Sequence, residues 1–167
     1  MFGLTPLGTF HTAISLVAVA AGIVAFVRHG GISPESKSGM LYIVTTVIVC
    51  VTGFGIFQHG GFGKPHVLGV ITLVVLAIAA IAGRTRIFGN ASPYVETVSY
   101  SATFFFHMIP ALAEGATRLP PRAPLFDNPE APELQLVTGV FFVVFLLGAA
   151  CQVWRLRAAG GLGASLS

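Results

Sequence analysis

Charge is scarce in this chain. Asp, Glu, Lys and Arg make up 9% of its 167 residues, against 54% apolar ones. A water-soluble domain of this length needs more charge to cover its surface, and a disordered chain has far less apolar content. The net charge of +3, from nine basic and six acidic residues, is too small and too scattered for a nucleic-acid surface. Cysteine is also scarce. Cys50 and Cys151 lie inside apolar runs without CxxC spacing, which speaks against a zinc knuckle or disulfide framework and reads as two buried, inert thiols. Catalytic signatures are missing too: there is no nucleophile elbow, HExxH, Walker motif or haem-attaching CxxCH. The turn Gly60-Gly61-Phe62-Gly63 lacks the GKS/GKT of a phosphate loop. No internal repeat stands out. Met1-Phe2-Gly3-Leu4 carries no basic n-region, and the first basic residue, Arg28, follows the apolar run, so the first helix is expected to be retained rather than cleaved.

What the chain has in abundance is apolar length. Its mean hydropathy is +0.86, and five candidate spans account for it, at about 6–27, 39–57, 65–83, 94–117 and 134–154. Runs of this length must satisfy their own backbone hydrogen bonds in lipid, and a helix does so even where Val, Ile and Thr are frequent. Thr5-Pro6 opens the first span and Lys64-Pro65 the third, with proline suited to a first helical turn. The fourth is the least apolar, holding Glu96, His107, Pro110 and Glu114. Five prolines between 118 and 133 predict an external loop, and residues 158–167 a flexible tail. The expected fold is an all-α integral membrane bundle of five transmembrane helices forming one domain over residues 1–157. Lys and Arg decide its orientation. Arg28, Lys37, Arg84, Arg86, Arg155 and Arg157 fall on one side, and Lys64, Arg118 and Arg122 on the other. The bias places the N-terminus outside and the C-terminus in the cytoplasm of a bacterial inner (plasma) membrane protein.

Ionisable residues inside a bilayer are costly and face the bundle interior. His11, His59, His66 and His107 all thread towards the outer side, whereas His29 is a cytoplasmic loop residue. At a rise of about 1.5 Å per residue, His11 lies roughly 7 Å into its helix and His107 roughly 15 Å. These two form the best-matched pair, His66 is a third member, and His59 belongs at the water boundary. Along the fourth span Glu96, Ser99, Thr103, His107, Pro110 and Glu114 form one seam at spacings of three and four, which should turn inward. Similar seams pass through Gly8, His11, Ser15 and Gly22, and through Thr45, Thr52 and His59. The fifth span has none and should pack at the periphery. Phe104, Phe105 and Phe106 read as lipid-facing and packing bulk.

Converging imidazoles admit several chemistries. Two facing each other make axial ligands for haem iron. Three with an open position suit zinc or copper, with Glu114 as ligand, support or base. A His/Glu pair without metal relays protons or binds a quinone carbonyl. Against all of these stands plain helix–helix hydrogen bonding.

Phe10-His11-Thr12-Ala13, Gly39-Met40-Leu41-Tyr42, Lys64-Pro65-His66 with Thr72-Leu73, and Phe106-His107-Met108 resemble a family of small bacterial multi-helix membrane proteins known only as a domain of unknown function. The resemblance covers about residues 7–118. It departs at Glu35-Ser36-Lys37-Ser38, where a His-Arg pair before the glycine would be expected. It implies a multi-helix membrane fold with recurring intramembrane histidines and no particular activity.

The expected function is binding of haem b or a transition-metal ion through His11, His66 and His107, with Glu114 in support, for electron transfer. The alternatives are a non-enzymatic accessory or assembly subunit of a larger membrane complex and a three-His membrane metal hydrolase. The expected partners are the lipid bilayer, a homo-oligomer or larger complex, and a quinone; nucleic acid is not among them.

Overall fold

In a computed structural model the chain is helical throughout its ordered elements. The structure describes residues 5–57, 61–118, 124–126, 128 and 131–164. The helices are α1 (Pro6–His29), α2 (Lys37–Gly53), α3 (Lys64–Thr85), α4 (Ser92–Arg118) and α5 (Pro132–Ala164), with a short 3-10 turn at Gly89–Ala91 before α4. No strand occurs among the described residues.

Local chemistry fixes the ends. Thr5 caps α1 by accepting the Gly8 N–H at 3.1 Å, and Ser36 caps α2 by accepting the Gly39 N–H at 3.0 Å. Each side-chain oxygen satisfies a donor that the first turn leaves free. Gly30 ends α1 in the left-handed conformation, φ +72°, with its N–H on the Phe26 carbonyl at 2.9 Å. A side chain there would be strained, and it would also meet the Arg155 guanidinium from α5.

Three helices are long and apolar enough to cross a membrane: α1, α3 and the first 28 residues of α5, Pro132–Ala159. Helix α2 is apolar but only 17 residues long, about 25 Å at the α-helical rise. It stops at Gly53, short of the expected 57, because Phe54 and Gly55 form a turn and Ile56 and Phe57 leave the helix. Helix α4 runs 27 residues through Pro110. Helix α5 continues past the expected end at 154 into the segment read as a tail; residues 165–167 lie outside the described set.

Helix α1 packs along α2, α3 along α4, and the two pairs meet through α2 with α3 and α1 with α4. Small residues make the contact possible: Gly8, Ala18, Ala21, Gly22 and Ala25 are the buried positions of α1. They follow the three- and four-residue steps of the Gly8–His11–Ser15–Gly22 seam, and in lipid such close approach replaces the missing hydrophobic drive. The Phe104 ring of α4 lies directly against Gly22 and packs on Phe26 and Tyr42, with ring centroids at 5.2 and 5.8 Å. Phe104 is therefore interior packing and not lipid-facing bulk. Phe105 faces α5 instead, meeting Phe142 and Phe145 at 5.4 and 5.6 Å.

Helix α5 packs chiefly on α4, at the periphery, as the absence of a polar seam predicts. One polar staple holds it. Gln152 donates to the Gly30 carbonyl at 2.9 Å, and its Oε1 lies 2.9 Å from the Ser101 hydroxyl of α4. Cys50 is buried in α2, whereas Cys151 is exposed on α5, which corrects the reading of both thiols as buried.

Candidate functional site: a buried imidazole pair

His11 stands on α1 facing α2. Its Nδ1 lies 3.0 Å from the Thr52 hydroxyl, and the ring reaches the Val49 backbone carbonyl. Thr52 has a single hydroxyl hydrogen, directed back to the carbonyls of Ile48 at 2.8 Å and Val49 at 3.1 Å. The Thr52 oxygen therefore accepts, His11 Nδ1 carries the proton, and Nε2 keeps its lone pair. The imidazole fits because residue 53 is glycine: a Cβ there would stand 3.3 Å from His11 Cε1.

His107 stands on α4 and is 7% exposed. Its ring reaches the backbone carbonyl of Ser15 on α1 and interacts electrostatically with His11. It also packs beside Tyr42, with ring centroids 6.4 Å apart. A neutral imidazole that donates from one nitrogen to a carbonyl keeps a lone pair on the other. His11 on α1 and His107 on α4 are thus in electrostatic reach of each other. Glu114, about two turns further along α4 and beyond Pro110, is in electrostatic reach of His11. Both Pro110 and Glu114 are exposed, so the buried part of the α4 seam ends at His107.

His66 behaves differently. It is 6% exposed and occupies the third position of α3, where its Nδ1 accepts the Gly63 backbone N–H at 3.2 Å. A glycine cap offers no side-chain acceptor, and here the histidine reaches back to the cap as Glu or Gln does in a capping box. Because Nδ1 accepts, Nε2 carries the hydrogen in the neutral ring. This Nε2 is buried without a hydrogen-bond partner. The ring lies between Phe57 and Phe62, each with its centroid at 5.1 Å. His66 is thus committed as a cap, with neither nitrogen presenting a lone pair. His59 lies outside the described residues. Among the described residues no three His, Cys, Asp or Glu side chains form a metal-holding group.

Sequence reasoning placed Thr103 on the inward seam but missed Tyr42 and Thr46. All three are fully buried, and Tyr42 donates to Thr103 Oγ1 at 3.1 Å. The signal was present: Tyr42, Thr45 and Thr46 recur at three- and four-residue spacing on an otherwise apolar helix, which puts them on one face.

The arrangement offers two neutral imidazoles, each with one nitrogen pinned by a protein acceptor and the other able to accept a proton or bind a cation, beside a buried file of hydroxyls. No family model, no curated protein and no solved structure matches this chain.

Proposed function

We propose that the protein is a five-span bacterial inner-membrane protein, N-terminus outside and C-terminus cytoplasmic, whose working centre is the His11–His107 pair. In this reading His11 and His107 would hold a haem iron, which would supply electron transfer. The observation that carries it is the division of labour within each ring. One nitrogen is engaged by Thr52 or by Ser15, which is how ligating histidines are held by their surroundings, and the other is left as a lone pair. Two imidazoles, rather than three, match a low-spin bis-histidine centre better than a hydrolytic zinc site. A bound haem would supply reversible one-electron chemistry. The chain's own part is to orient the rings and, through Glu114, to place negative charge beside them.

The six-to-three distribution of Lys and Arg supports the orientation. The polar fourth helix is read as a span, and its packing against α3 and α5 supports that reading.

The test is a dithionite-minus-air difference spectrum of the protein purified from membranes, together with elemental analysis. A Soret shift with a sharp α band, at one iron per chain, supports the reading. A stoichiometric metal without haem bands would replace haem by a bare ion at the same pair. Neither signal would leave the accessory-subunit reading, with the pair acting in helix packing alone.

A further inference from the structure

One end of the bundle gathers cations from four helices. Gln152 of α5 bonds the Gly30 carbonyl at 2.9 Å, which ties the far part of α5 to the end of α1. The Arg155 guanidinium, from the next turn of α5, lies over Gly30. Glu96, near the start of α4, rests on Gly83 near the end of α3, and it is in electrostatic reach of Glu35 in the α1–α2 loop. All five helices therefore present one end here. That end carries Arg28, Lys37, Arg84, Arg86, Arg155 and Arg157, every one of them exposed. None of the six is ion-paired among the described residues. Against them stand the carboxylates of Glu35 and Glu96, and Glu96 is turned in against α3.

Apolar surface adjoins these charges. Ile87 and Phe88 follow Arg86, Trp154 precedes Arg155, and all three apolar side chains are exposed. A groove of about 470 Å³ opens on α2 at the same end. Its walls are Pro34, Glu35, Ser36 and Lys37 at the loop, then Met40, Leu41 and Val44 along the helix. Lys37 and Val44 are seven residues apart, about 10 Å of helix. Over that distance the groove passes from a cation at the bundle's end to bare hydrocarbon. The charge bias that orients a span needs only the cations. It does not call for an apolar groove running inward from one of them.

Three occupants can be weighed by chemistry. A soluble anion such as inorganic phosphate would use the charges and leave the groove unused. A zwitterionic lipid would use the groove and gain little from a surplus of cations. An anionic phospholipid uses both. We propose that this end of the bundle docks an anionic phospholipid, with its headgroup phosphate at Lys37 and an acyl chain along Met40, Leu41 and Val44. The arginines around it supply the positive field that draws the headgroup in. Glu35, on the groove wall, opposes that field. The proposal rests on the bundle lying in a membrane and not on the histidine pair holding haem.

The test is native mass spectrometry of the full chain released from detergent micelles that hold equal amounts of phosphatidylglycerol and phosphatidylcholine. The wild type is expected to retain phosphatidylglycerol in preference to phosphatidylcholine by about tenfold or more, given several uncompensated cations. Lys37→Gln and Arg155→Gln should each weaken phosphatidylglycerol binding about fivefold, the effect of one cation near a lipid surface. Glu35→Gln should strengthen it. Lys64→Gln, at the opposite end of α3 from Arg84, should bind as the wild type does. Excess inorganic phosphate should leave the bound lipid in place. Matched elution on gel filtration keeps folding out of the comparison. Equal retention of the two lipids, displacement by inorganic phosphate, or wild-type binding by both Lys37→Gln and Arg155→Gln would overturn the proposal.

Discussion

Helices α4 and α5 lie side by side and are built on opposite plans. Helix α5 is strongly apolar and almost wholly exposed; Leu136, Val143, Val144, Leu147 and Trp154 all point away from the rest of the chain. Helix α4 is too polar to count as a span by hydropathy, yet it carries the buried residues Tyr100, Ser101, Thr103 and His107. In water the apolar helix would be the inner one. In lipid the order reverses, because hydrocarbon tails satisfy leucine as well as a protein core does, and only the interior can satisfy a hydroxyl or an imidazole. Hydropathy in such a protein therefore reports which helix faces lipid, and polar spacing reports which one faces the site.

Matched glycine substitutions put that contrast to the test. The largest effect is expected at Gly39, whose added Cβ would run into the Ser33 backbone in the α1–α2 loop. Backbone cannot rotate aside as a side chain can, so Gly39→Ala should cost about 3 kcal/mol, read as a drop in the midpoint of thermal unfolding in detergent. Gly22→Ala should cost about 2 kcal/mol, because the methyl meets the Phe104 ring, itself held between Phe26 and Tyr42. Tyr42→Phe gives up the hydrogen bond to Thr103 and should cost about 1 kcal/mol. Gly148→Ala on α5 should go the other way. Nothing lies within 4 Å of the added Cβ, and better helix propensity should stabilise by up to about 1 kcal/mol. Equal losses at Gly22 and Gly148 would break the contrast between the two helices.

Much of this was legible in the sequence. Helices α1 and α3 begin where Thr5-Pro6 and Lys64-Pro65 announce them, because caps and first-turn prolines act locally. The peripheral place of α5 followed from its lack of a polar seam. The end of α2 was not legible. Its apolar run continues to Phe57, and hydropathy cannot register that Phe54 and Gly55 turn the chain. Antiparallel depth, which depends only on helical rise, is what singles out His11 and His107 in the sequence. For His66, depth says nothing about which nitrogen is free. Its place three residues after a glycine cap commits Nδ1 to the Gly63 N–H, and that is a matter of hydrogen-bond geometry. Tyr42 escaped notice because tyrosine at the start of a span reads as an interfacial residue, whereas here the ring turns inward to meet Phe104 and His107.

The distinction between His66 and the other two histidines gives the most direct test of the central claim. Redox difference spectra of His11→Ala, His107→Ala and His66→Ala, purified side by side at equal protein, should show the centre lost in the first two and retained in the third. Loss of the signal in His66→Ala with its retention in His107→Ala would contradict the assignment of the pair.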